Sequence, residues 1–186
     1  MDFENLIVKI AKILERLDIP YIITGGYAVA VWGRLRATFD VDVVIEMLHP
    51  NVAAFAKAMR TLGKEVYVDE AMIRETLRWR GEFNVIHGES GLKIDFFIPR
   101  DIGQTKKALA RARFKKVKGQ RVYFISPEDL ILSKLRWVSQ GGGEKHMEDA
   151  QSVVKRSGDI LDRAYLEAQA KEQKVQDLWR RVRSGG

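Results

Sequence analysis

Residues 21–46, YIITGGYAVAVWGRLRATFDVDVVIE, constrain the fold of this chain more than any other stretch. They predict a short apolar strand, a Gly-Gly turn, a helix of small residues, a basic loop and a second strand bearing Asp40 and Asp42. Side chains alternate along a strand, so residues two apart project to one face. Adjacent carboxylates repel each other unless a cation lies between them, and a hard Mg²⁺ ion with phosphate oxygens suits that place. Gly25-Gly26 stands just before a helix start, where free N–H groups and the helix dipole favour an anion such as phosphate. One segment thus pairs a phosphate cradle with a metal perch, the equipment of nucleotide chemistry.

A lone carboxylate later in the chain extends the set. Asp95 lies in the apolar strand 92–98, beside Ile94, Phe96 and Phe97. A buried aspartate is costly unless it is paired, metal-bound or at an edge. If this strand neighbours residues 39–46, Asp95 joins Asp40 and Asp42 in a cluster able to hold two divalent ions against a triphosphate. Asp-x-Asp on a strand also arises by chance; the glycine turn, helix, basic loop and later aspartate together are harder to reach by accident.

The rest of the chain reads as alternating elements. Helices are expected over 3–17, 51–62, 70–79 and 100–110, with weak pairing at 65–68 and hairpins at 82–98 and 113–125. Ser126-Pro127-Glu128-Asp129 is a helix start, with Ser as N-cap and Pro at the first helical position. From there the pattern is helical to residue 183, broken by the glycines at 141–143. The reading is an α/β (α+β) chain, with a core over 1–125 and a C-terminal helical region over 126–186 that needs something to pack on.

With 46% hydrophobic and 31% charged residues, the composition is that of an ordinary soluble protein. The absence of cysteine excludes disulfides, a thiol nucleophile and a cysteine zinc site. No apolar run approaches the roughly 20 residues of a membrane span, and the N-terminus lacks a signal-peptide core, so the cytoplasm is the expected location. The net charge is +7, with eight Lys and Arg residues between 106 and 121. That run is either a solvated face or a surface for nucleic acid. Trp79, Trp137 and Trp179 fall on helical faces expected to be core or interface. His87, at the end of an apolar strand, is expected to be structural, and His49 and His146 lack partners at metal-ligand spacing.

Gly25-Gly26, then Asp40-Val41-Asp42-Val43, then Asp95, resembles the DNA polymerase β-type nucleotidyltransferase superfamily. The wider texture, including KIDFF and SPEDLILSKL, is similar to small bacterial and archaeal nucleotidyltransferases, some grouped with abortive-infection and toxin–antitoxin systems. The resemblance implies a mixed sheet flanked by helices, with a helical region closing over the nucleotide. It implies that Gly25 and Gly26 contact the triphosphate of an NTP substrate. Asp40, Asp42 and Asp95 would be both the catalytic residues and the ligands of Mg²⁺ or Mn²⁺. Thr24 matches a hydroxyl before the glycines in some relatives, although a strand-end threonine is also unremarkable.

Lys134 and Asp149 match places that serve the nucleotide in toxin-type relatives; the alternatives are a surface lysine on an amphipathic helix and a solvated helix acid. Arg34 and Arg36 lie between glycine turn and aspartates, and arginine matches phosphate geometry in two-pronged fashion; exposed loop arginines are equally common. The expected activity is transfer of a nucleoside monophosphate from an NTP to a hydroxyl of an RNA such as tRNA, a protein or a small molecule. Possible partners are RNA along 106–121 and a cognate toxin or antitoxin. The rival reading is a non-catalytic nucleotidyltransferase-like module that binds nucleic acid or a partner.

Overall fold

The computed structural model describes residues 2–38 and 40–184. In chain order its elements are α1 (Phe3–Arg16), β1 (Tyr21–Ile23), α2 (Gly25–Trp32), β2 (Asp40–Ile45), α3 (Val52–Met59), β3 (Val66–Tyr67), α4 (Glu70–Trp79), β4 (Glu82–His87), β5 (Leu92–Phe97), α5 (Ile102–Ala110), β6 (Arg113–Val117), β7 (Gln120–Phe124), α6 (Pro127–Ser139), α7 (Glu144–Ser157), α8 (Arg163–Glu172) and α9 (Gln176–Arg183). Single 3₁₀ turns at His49–Asn51 and Arg60–Leu62 flank α3, so the helix expected over 51–62 is regular only in its middle. Phe39, expected to open the second strand, lies outside the described residues. No helix among the described residues is long and apolar enough to cross a membrane.

The chain forms two compact units, Met1–Gly25 with Thr38–Phe124, and Gly26–Ala37 with Ile125–Gly186. The first holds the whole sheet, in the order β3-β4-β5-β2-β1-β7-β6. It is mixed: β2 runs parallel to β5 and β1 parallel to β7, while the other neighbours are antiparallel. One face is apolar, with Val41, Val43, Ile45, Phe83, Val85, Ile94 and Phe96 all buried. Phe83 stacks on Phe96 at 5.2 Å, and Phe55 of α3 meets both rings edge-on at 5.7 and 5.2 Å. Helix α1 begins where Asp2 accepts a bond from the Asn5 N–H, and it buries Leu6, Ile7, Ile10 and Leu14.

His87 faces the same buried side. Its Nδ1 lies 2.7 Å from the Ser90 hydroxyl and its Nε2 3.3 Å from the Leu62 carbonyl. Both ring nitrogens are therefore occupied structurally.

The second unit is a helical assembly in which α6 packs on α7 and α8, and α9 on α7 and α8. Ser126 caps α6 through the Asp129 N–H, with Pro127 in the first turn. The segment after Gly25 belongs to this unit. Trp32 donates from Nε1 to the Ile125 carbonyl at 2.9 Å, and the Ser157 hydroxyl donates to the Trp32 carbonyl at 2.6 Å. Arg156 donates to the Gly33 carbonyl at 2.9 Å. Gly33 is obligatory here, because a Cβ would lie 2.5 Å from the Ser152 hydroxyl and 2.9 Å from the Val153 backbone nitrogen. The tryptophans divide: Trp179 is buried in the core, while Trp79 is 74% and Trp137 53% exposed and so are not core. Helical spacing marks the face a tryptophan lies on and not how much of that face is covered.

Candidate active site

The face of the sheet opposite the aromatic core carries the first cluster. Asp40 and Asp42 alternate with buried Val41 and Val43, so both carboxylates stand on one side, Asp40 exposed and Asp42 half-buried. The parallel pairing of β2 with β5 sets Asp42 opposite Asp95 and Asp40 opposite Lys93. Neighbouring strands lie about 4.8 Å apart, so residues paired on one face are adjacent. The backbone at Thr24 is tied in, its N–H donating to the Asp42 carbonyl at 2.9 Å.

Gly25 closes one side of this cluster. It has φ +63°, and a Cβ built there would lie 1.8 Å from Asp42 Oδ2. Its backbone therefore runs directly against the carboxylate, an approach that only glycine permits.

Asp95 is 5% exposed. Its Oδ2 is 2.8 Å from Lys93 Nζ, while its Oδ1 is buried with no hydrogen-bond partner. The bond to Asp95 raises the Lys93 pKa, reinforced by the charges of Asp95, Asp40 and Glu82. Glu82, on β4, has its pKa raised by burial first and then by the negative charge of Asp95 and Asp42. Sequence reasoning missed Lys93 and Glu82. Lys93 was readable, because strand alternation sets it two residues before Asp95 on the same face; Glu82 needed the β4–β5 register.

Among the described residues, no three His, Cys, Asp or Glu side chains already converge as ligands of one ion. The donor chemistry still fits a hard divalent cation. The donors offered are carboxylate oxygens, and one of them, the buried Oδ1 of Asp95, has no hydrogen-bond partner.

The second unit carries a separate cluster around Asp149 of α7, whose side chain is fully buried. Arg34 Nη2 lies 3.3 Å from Asp149 Oδ1. Arg36 Nη2 and Lys134 Nζ lie 3.4 and 3.3 Å from Oδ2. Arg34 also pairs with Glu148 at 2.7 Å, the contact that chiefly raises its pKa. The four residues Arg34, Arg36, Lys134 and Asp149 are thus brought together. Lys134 is 5% exposed, so neither the surface lysine nor the solvated acid is what the fold contains. One turn along, Trp137 of α6 stacks on His146 of α7 at 5.8 Å. Burial, and then the positive charge of Lys134, lower the His146 pKa.

Over residues 3–182 the sequence matches the family described as "Nucleotidyl transferase of unknown function (DUF2204)". The chain belongs to this family. No curated protein matches it in sequence. Among solved structures, that of the antibiotic-resistance factor ANT(2'')-Ia is similar at TM-score 0.59 and 16% identity, over 97% of this chain and 92% of that one. An antigenic nucleotidyltransferase-like protein from Paracoccidioides brasiliensis follows at TM-score 0.53 and 17% identity, covering 82% and 75%. The lincosamide antibiotic adenylyltransferase LnuA gives 0.52 and 16%, covering 80% and 94%. At such identities the likeness is one of fold, and the fold of this nucleotidyl transferase family member is that of the polymerase β-type enzymes.

Proposed function

We propose that this family member is a metal-dependent nucleotidyltransferase whose working residues are Asp40, Asp42 and Asp95. The observation that carries the reading is the Asp42–Asp95 pairing in the β2–β5 register, with Asp40 on the same face and Gly25 against Asp42. Asp40, Asp42 and Asp95 would hold Mg²⁺ or Mn²⁺. When bound, such ions neutralise phosphate charge and lower the pKa of an attacking hydroxyl. Gly25 and Gly26 present backbone to the triphosphate of the NTP, and Thr24 anchors that turn through its bond to Asp42. The acceptor oxygen attacks the α-phosphorus, the α–β bridging P–O bond breaks, and pyrophosphate leaves. Asp95 accepts the hydroxyl proton. Catalysis on this account is positioning plus charge neutralisation.

The roles of Arg34, Arg36, Lys134 and Asp149 in nucleotide binding belong to the same proposal. It is supported by three cations gathered on the two carboxylates Asp149 and Glu148, a net positive charge suited to phosphate. The acceptor is a hydroxyl of RNA, protein or a small molecule. Fold neighbours illustrate the last class: ANT(2'')-Ia was captured with adenylyl-2''-tobramycin, and LnuA with lincomycin. The test is incubation of pure protein with labelled NTPs, Mg²⁺ or Mn²⁺ and cell extract. The wild type labels an acceptor and Asp42→Ala does not. A wild type that labels nothing, or labelling that survives Asp42→Ala, sinks the proposal.

A second reading is a module of a toxin–antitoxin pair that binds nucleic acid or a partner without turnover. It is favoured by the Lys93 ammonium seated on Asp95, which already neutralises that carboxylate. Calorimetry separates the two: Mg²⁺–NTP binding lost in Asp40→Asn marks the enzyme, and its absence from the wild type marks the module.

A further inference from the structure

Between Asp101 and Glu128 the sequence contains no acidic residue and eight Lys and Arg residues. Much of that charge is presented on the β6–β7 hairpin, whose outer strand is one edge of the sheet. The register sets Phe114 opposite Tyr123 and Lys116 opposite Arg121. Alternation then gathers these four side chains on one face, while Val122 and Phe124 point to the other and are buried. Phe114 is 50% and Tyr123 37% exposed. Arg121 lies over the Phe114 ring, its Cζ 4.9 Å from the centroid, and Tyr123 is braced edge-on by Tyr21 at 6.0 Å.

Edge strands commonly carry charge to prevent edge-to-edge pairing, which accounts for the cations of β6. It does not account for two exposed rings between them, which work against that protection. A single-stranded nucleic acid uses both features: its phosphates meet the cations, and its bases stack on aromatic and guanidinium planes. An acidic peptide would use the charge alone.

We propose that the Phe114–Lys116–Arg121–Tyr123 face binds single-stranded nucleic acid, stacking bases on the rings and pairing backbone phosphates with Lys116 and its basic neighbours. A five-residue strand spans roughly 16 Å, room for two or three nucleotides. The site lies wholly within the first unit and needs neither NTP nor metal, so it stands or falls apart from the transferase reading.

Fluorescence anisotropy with 12-nucleotide labelled oligo(U) and oligo(dT), on full-length protein in EDTA, tests it. Saturable binding weakened by salt is expected, and Phe114→Ala raises Kd by about tenfold, the size of one base–aromatic stack. Lys116→Ala weakens binding less and flattens the salt dependence by roughly 0.7 in the log–log slope. The Phe114 ring is half-exposed, and circular dichroism verifies that the variant is folded. Tighter binding of oligo(U) identifies RNA as the ligand, tighter binding of oligo(dT) identifies DNA, and equal binding marks a face that reads bases and phosphates alone. Absence of binding, a folded Phe114→Ala with wild-type affinity, or displacement by polyglutamate at equal charge overturns the proposal.

Discussion

The Cα of Gly25 packs so closely on the Asp42 carboxylate that a methyl group there would sit 1.8 Å from Oδ2, and the residue also holds φ +63°. Gly25→Ala therefore faces two costs. Left-handed backbone alone costs an L-residue about 1–2 kcal/mol, and the methyl must additionally displace Asp42. The variant should melt at least a few degrees lower and lose Mn²⁺ binding, read by thermal denaturation and calorimetry. Unchanged melting together with unchanged metal affinity would contradict this account of the turn.

Lys93 and Asp95 yield a prediction of opposite sign. The Lys93 ammonium holds Asp95 Oδ2 at 2.8 Å and so competes with any cation approaching that carboxylate. Lys93→Met should tighten Mn²⁺ binding, measured by calorimetry without nucleotide, because one competing charge is gone. Asp95→Asn should abolish binding and lower nucleotidyl transfer at least about a thousandfold, several kcal/mol at 1.36 kcal/mol per decade. Weaker binding in Lys93→Met would show that the lysine positions Asp95 rather than competing for it.

Asp149 tests the second cluster through stability. Its buried carboxylate faces Arg34, Arg36 and Lys134. Removing one partner of a buried ionic group leaves uncompensated charge, at a cost of about 3–5 kcal/mol. Asp149→Ala should lose that much in urea unfolding. Lys134→Met, which leaves Asp149 two arginines, should lose clearly less. Equal losses would mean that the cluster is held by Lys134 alone.

His146 gives stability an acid limb. Burial disfavours its charged form, as do Lys134, Lys145 and Arg36, while Asp149 opposes them; the net effect lowers its pKa. The unfolded chain thus takes up this proton first. The contribution is complete above the ordinary histidine value near about 6.5 and is lost as pH falls below it. His146→Gln should flatten the stability profile on that acid side, measured by urea unfolding between pH 5 and 8. An unchanged slope would place the acid sensitivity in another group.

The carboxylate face was largely legible. Period-two alternation puts Asp40 and Asp42 on one side of a strand whatever the strand packs against, and an aspartate amid Ile94, Phe96 and Phe97 announces an unusual environment. The hairpins and the start of α6 were legible for the same local reason, since turn glycines and the Ser126-Pro127 cap act within a few residues. Lys93 is displayed by the same alternation, two residues before Asp95 on one face of β5.

Local rules could not go further, because burial is decided by elements far apart in sequence. The hydrophobic pattern of α6 and α7 marked helical faces, yet only packing made Lys134 and Asp149 interior and left Trp137 on the surface. Likewise, small residues after Gly25 announced a helix needing close neighbours, but it took the bonds from Trp32 to Ile125 and from Ser157 to Trp32, over 93 and 125 residues, to reveal which ones. The sequence by itself determined the elements and the faces of their residues, because steric and hydrogen-bonding preferences act over one turn or two. Tertiary structure decided what each face meets: Asp95 beside Asp42 and three cations around Asp149, since register and helix packing bring charges together across chain distances that no local preference spans.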